Sequence, residues 1–217
     1  SAVSWLRMVS SRIFVMFAQA DTSGVMASID AKRSAYAEVA LQIWKLAEVG
    51  YQETQSSTLL QRGLRGAGFE VKAGVADIPT AFVASFGSGK PVIAILGEFD
   101  ALPGLSQQAQ PLREPVIAGA PGHGCGHHLF GTGSMAAAIA VKDWLIANKR
   151  PGTIRFYGTP AEEGGALRWV GPHRGDVAFP GGKVHPEIDP TLRDAALREA
   201  EEDVSRFTRA YQNGVIS

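Results

Sequence analysis

The chain is poor in cysteine, in net charge and in long apolar runs, and each shortage narrows what it can be. A single cysteine, Cys125, among 217 residues excludes an internal disulfide and leaves the redox compartment open. Lys+Arg and Asp+Glu balance at 21 each, so the basic excess that nucleic-acid binding requires is missing and no nucleic-acid partner is expected. Near the amino terminus, the apolar run Ile13-Phe-Val-Met-Phe-Ala-Gln-Ala20 is far too short to span a bilayer. It follows Arg7 and Arg12 and ends in Ala18-Gln-Ala20, the small-x-small pattern of a signal-peptidase site. Residues 1–22 therefore read either as a short secretory signal, implying export, or as a frayed helix or disordered leader on a cytoplasmic protein.

What the chain does have is an ordinary globular composition, 45% hydrophobic and 19% charged, enough to build a core. From Ser28 to Val49, Ile29, Tyr36, Val39, Ile43 and Leu46 recur at helical spacing, and Gly50 supplies a stop. A second helix is expected from about Thr54 to Arg65, with Leu59, Leu60 and Leu64 inward. Strands are expected at Phe69–Ala73, Ala81–Phe86, Pro91–Leu96 and Thr153–Tyr157, the third of them apolar enough to be buried on both faces. An Ala-rich helix is expected from Gly133 to Asn148. Helices alternating with strands predict an α/β fold in layers.

Chemistry concentrates in three places. Gly119-Ala-Pro-Gly-His-Gly-Cys-Gly-His-His128 gathers the sole cysteine with His123, His127 and His128, three of the five histidines, among glycines that let backbone approach an ion closely. A thiolate and an imidazole two residues apart, Cys125 and His127, suit Zn²⁺ or a similar borderline metal. Asp100 follows the buried strand, at a strand end where α/β folds place chemistry; a turn-capping role fits it equally. Glu162 and Glu163 follow another strand and precede Gly-Gly. Adjacent carboxylates point apart, so one can bind a metal while the other takes a proton from water.

Four segments in order resemble the amino-terminal half of the zinc-dependent aminoacylase/carboxypeptidase superfamily, in the branch of aminobenzoyl-glutamate, hippurate and auxin-conjugate hydrolases. They are Ala47-Glu-Val-Gly-Tyr-Gln-Glu53, Gly97-Glu-Phe-Asp-Ala-Leu-Pro103, Gly122-His-Gly-Cys-Gly-His127 and Thr159-Pro-Ala-Glu-Glu-Gly-Gly165. The resemblance implies a layered αβα catalytic domain of zinc-exopeptidase type, incomplete here, and metal-dependent hydrolysis of an amide bond in an N-acyl amino acid or a small peptide-like conjugate. It implies Cys125, His127 and Glu163 as ligands of Zn²⁺ or Mn²⁺, Glu162 as general base, and Asp100 as an orienting residue beside the ligands. His123 matches the pattern without a known role, and His128 stands where relatives carry Asn or Asp.

Beyond Gly165 the resemblance is expected to stop. Arg174 to Val184 and then Ala195 to Val204 resemble, over about thirty residues, the Nudix box of coenzyme A diphosphatase-type hydrolases. Glu199, Glu202 and Asp203 fall at i, i+3 and i+4 on one helix face and would suit Mg²⁺ beside a diphosphate, although Asp203 replaces the usual second Glu and Ser205 the usual Gly. An ordinary charged amphipathic helix explains the same residues. The expected division is thus a leader at 1–22, an amidohydrolase half-domain at 23–165, and a divergent tail at 166–217 with a Nudix-like loop and a helix. The alternatives are a Nudix-type diphosphatase fragment and a non-catalytic metal-binding fragment. The family's dimerisation domain is not recognisable, so dimerisation is not carried over.

Overall fold

Two helices stand where the sequence pattern predicts one. In the computed structural model, which describes residues 23–162 and 177–179, α1 spans Ser23–Ala31 and α2 spans Arg33–Leu46. Ile29 lies two turns before Tyr36, so Val25 and Ile29 on α1 and Tyr36, Ala40 and Ile43 on α2 all reach the core across the break. At the break, Lys32 extends its ammonium to Asp143, 3.1 Å away. Helix α2 ends before Gly50, because Ala47 turns left-handed at φ 44° and its N–H closes on the Ile43 carbonyl.

Helix α3, Thr54–Gly66, matches its expected bounds and buries Leu60 and Leu64. Its amino end is capped from outside: the Glu48 carboxylate accepts from the Gln55 and Ser56 amides, at 3.1 and 2.7 Å.

The strands β1 (Glu70–Ala73), β2 (Phe82–Ser88), β3 (Val92–Glu98), β4 (Gly152–Thr159) and β5 (Val177–Phe179) form one mixed sheet in the order β1-β2-β4-β3-β5. β1 and β2, and β2 and β4, pair antiparallel; β3 runs parallel to both β4 and β5. The segment expected to form a Nudix-like loop thus contributes a strand at 177–179. The remainder of that tail, with Glu199, Glu202 and Asp203, lies outside the described residues, as does the leader.

Helix α4, His127–Ala147, is the crossover from β3 to β4 and starts well ahead of the expected Gly133. The glycines in its first turns suggest a loop in the sequence, but they serve packing. A Cβ on Gly131 would lie 2.5 Å from the Glu98 carbonyl oxygen and 3.1 Å from a Leu60 methyl, so glycine lets the helix settle on the end of β3. Length and hydropathy alone would let α4 cross a membrane, yet 78% of its most apolar window is buried and it is the core helix.

All four helices share one apolar cluster with one sheet face, where Phe82, Ile93, Ile95, Ile154 and Phe156 point. On the other face Ala94, Leu96 and Tyr157 are buried beside Val83. The result is the α/β fold expected. Near the site edge, two rings lie over two glycines. A Cβ on Gly97 would come within 2.3 Å of the Phe156 ring, and one on Gly158 within 2.1 Å of the Phe82 ring. The two rings stack at 5.6 Å.

Candidate metal centre and active site

Parallel pairing brings the carboxyl ends of β3 and β4 side by side, with Glu98 in register with Thr159. The first turn of α4 lies against this edge. Three donor groups meet there: carboxylate oxygens of Glu98 and Glu162 and a ring nitrogen of His127, all within 4.8 Å of one another. The His127 Nε2 is 3.3 Å from Glu98 Oε2 and 3.9 Å from Glu162 Oε2. On its other side, Nδ1 lies 2.8 Å from Asp100 Oδ1. His127 and Asp100 are buried, at 4% and 3% exposure.

One imidazole therefore faces three carboxylates. Burial alone would pull its pKa down, but the hydrogen bond and charge of Asp100, then the charges of Glu98 and Glu162, overcome that and hold it above the usual histidine value. Such a site favours positive charge. The donor chemistry fits a divalent cation: with Asp100 accepting from Nδ1–H, His127 keeps its Nε2 lone pair on the side of Glu98 and Glu162.

Asp100 and His127 are thus brought together as the sequence implied, and Glu162 joins them. Cys125 is not in the three-member group; it is exposed and lines the same cleft. Glu163 lies outside the described residues. Glu98 is a member of the group that residue type alone does not mark, although its place does: it ends β3 two residues before Asp100, and both reach the same ring.

His123 and His128 line the same cleft, with ring centroids 4.8 Å apart. Burial depresses both, His123 to about 4 and His128 to about 3, so both rings are neutral at pH 7. His123 Nε2 lies 3.1 Å from the Ile43 carbonyl oxygen. Neither nitrogen of His128 has a hydrogen-bond partner among the described residues. The donor group opens into a cleft of about 1280 Å³ whose apolar lining includes Trp44, Leu105, Val116, Ile117 and Phe130.

An imidazole held by a buried aspartate, facing acidic donors at the ends of parallel strands, is a donor set suited to a divalent cation on an α/β scaffold. Residues 94–201 match the model of Peptidase family M20/M25/M40, so this part of the chain is an M20 peptidase domain. The match continues past Gly165, through most of the tail in which the Nudix resemblance was noted, and that resemblance gains no support.

Among curated proteins, the chain is 54% identical over 142 residues to one of the subunits of p-aminobenzoyl-glutamate hydrolase of Escherichia coli (strain K12), covering 64% of this chain and 29% of that protein. It is 33% identical over 124 residues to thermostable carboxypeptidase 2 of Saccharolobus solfataricus, covering 55% and 30%. The chain spans less than a third of the length of these two relatives. Among solved structures, a Bacillus subtilis protein described as a dinuclear metal binding peptidase from the M20 family shares the fold, with a TM-score of 0.58, 24% identity, and coverage of 73% of this chain and 45% of that one.

Proposed function

We propose that this chain is the catalytic part of a metal-dependent amidohydrolase that cleaves N-acyl amino acids or small peptide-like conjugates. The observation that carries the reading is the convergence of Glu98, His127 and Glu162, with Asp100 behind the imidazole. In this reading the amidohydrolase half-domain, read from the sequence as residues 23–165, also takes in β5, Val177–Phe179, within the stretch to 201 that matches the family.

Glu98 and His127 hold the cation, with Cys125 and Glu163 as further donors. A thiolate beside an imidazole favours zinc over manganese. When bound, the metal supplies Lewis acidity, polarising the amide carbonyl and lowering the pKa of water towards ~7. Glu162 carries out the proton transfers. Its side chain is 31% exposed and is the farther of the two glutamates from Nε2, so it can take a proton from water and return it to the departing amine. Asp100 fixes the His127 tautomer. The apolar cleft suits the acyl group, and the name p-aminobenzoyl-glutamate hydrolase of one relative, which denotes an aromatic acyl group on an amino acid, supports that class.

The test is zinc content of the purified chain by elemental analysis, beside His127→Ala and Cys125→Ser variants. Near-stoichiometric zinc that is lost in His127→Ala supports the site, and loss in Cys125→Ser as well makes the thiolate a donor. A chain that binds no zinc or manganese, or binds equally well without His127, refutes the reading. Hydrolysis of an N-aroyl amino acid, absent in Glu162→Gln, completes the test.

A further inference from the structure

Glu53 occupies the residue before α3 but does not cap that helix, because Glu48 already accepts from the first free amides. Its carboxylate, 0% exposed, turns inward instead. One oxygen accepts from the Ala161 N–H at 2.7 Å, and the other accepts from the Thr80 hydroxyl at 3.1 Å. Ala161 is the residue before Glu162. It is held left-handed at φ 47°, a conformation that costs an L-residue about 1–2 kcal/mol without compensation. Beside it the chain runs so close that a Cβ on Gly50 would meet the Ala161 Cβ at 2.9 Å. Glycine at 50 therefore admits the loop, and the Glu53 carboxylate holds it.

We propose that Glu53 is a positioning residue: its bond to the Ala161 amide keeps that residue left-handed and so aims Glu162 at Glu98 and His127. This gives the segment Ala47–Glu53 a role in the site, through the backbone of the residue next to Glu162. The inference rests on the metal reading for its consequence, but not for its geometry.

The experiment uses the whole chain with three variants. Glu53→Ala removes the acceptor. Glu53→Gln keeps it, since the amide oxygen can accept from Ala161 while its NH₂ donates to the Thr80 hydroxyl, which then acts as acceptor. Glu53→Ala combined with Ala161→Gly removes the acceptor but lets residue 161 adopt positive φ without a steric penalty. Two readouts are taken: zinc affinity by competition with a chromophoric chelator, and hydrogen exchange of the Ala161 amide in metal-free protein.

Glu53→Ala is expected to speed exchange at Ala161 and, by moving the negative charge of Glu162 away from the cation it faces, to weaken zinc binding about tenfold, the lower end of the range for groups that support a metal site without binding the metal. Glu53→Gln should stay within about threefold of wild type, and the double variant should recover at least part of the affinity. Wild-type affinity and wild-type protection in Glu53→Ala overturn the inference, as does a Glu53→Gln variant as weak as Glu53→Ala. If Glu53→Ala does not fold, Gly50→Ala displaces the same loop with Glu53 intact, and unchanged zinc affinity there counts against the inference. A wild-type chain that takes up no zinc overturns the metal reading instead, while exchange at Ala161 still decides the role of Glu53.

Discussion

Gly131→Ala tests whether the seating of α4 on β3 sets the site. Alanine favours a helix interior over glycine by about 1 kcal/mol, so propensity alone predicts a more stable protein. Packing predicts the opposite. The new Cβ would lie 2.5 Å from the Glu98 carbonyl, where ordinary contact begins at 3.4 Å, so helix and strand must part by 3.4 − 2.5 = 0.9 Å. The obstructing atom is backbone and cannot rotate away. Overpacking of this kind costs about 1–3 kcal/mol, which leaves a net loss of up to about 2 kcal/mol. The shift also separates the α4 residue His127 from Glu98, now 3.3 Å apart, so zinc affinity should fall with stability.

Gly63→Ala in α3 is the internal comparison. Its Cβ would meet only the Met135 thioether, a flexible end that can move, so the helix-propensity gain should survive. Urea denaturation followed by circular dichroism, with zinc titration of each variant, gives both quantities. A Gly131→Ala chain as stable as Gly63→Ala, with unchanged zinc affinity, would refute the idea that this approach is tight.

Three further outcomes are expected. Asp100→Asn should keep the fold but weaken zinc binding about tenfold or more, because the charge behind His127 is lost; equal affinity in the same chelator competition would remove Asp100 from the site. Leu60→Ala, at a side chain with no exposure, should cost about 2–5 kcal/mol in urea unfolding, and a loss under about 1 kcal/mol would mean that the α3 core is not packed as described. Tyr36 is pushed up to about 12 by burial and then by the Asp143 charge. A folded pKa above the unfolded value of 10.0 means its contribution is whole below pH 10 and is lost as pH rises towards 12, by about 2–3 kcal/mol. Tyr36→Phe should flatten that alkaline slope of stability, and an unchanged slope would assign it to other groups.

Much of the scaffold is legible in the sequence because local signals agree. Leu60 and Leu64 mark the inner face of α3, and the apolar run before Gly97 marks a central strand. The first turn of α4 is hidden because Gly131 and Gly133 count as helix breakers in isolation, whereas only the packed structure shows the Glu98 carbonyl that excludes a side chain at 131. The break at Lys32 is hidden for a similar reason, since its partner Asp143 is a distant residue in sequence. In the site, His127 and Asp100 are visible as chemical types, and their pairing follows from the family resemblance. Glu98 is easily passed over in favour of Cys125, the softer donor, when residue type is weighed ahead of strand geometry. The inward turn of Glu53 is not readable at all, since it depends on Glu48 having taken over the helix cap.

The rings of Phe82 and Phe156 lying over Gly158 and Gly97 have a bearing on how this sequence can drift. Each ring fills the space that the glycine's absent side chain leaves, so neither member of a pair is free to vary alone. A methyl at 97 is tolerable only beside a smaller residue at 156, and a smaller residue at 156 opens a void that a methyl at 97 would fill. Because the two rings also stack, the pairs are tied to each other. Across descendants of this chain, positions 82, 97, 156 and 158 should therefore change in concert or not at all, a covariation that packing imposes at the edge where the donor group lies.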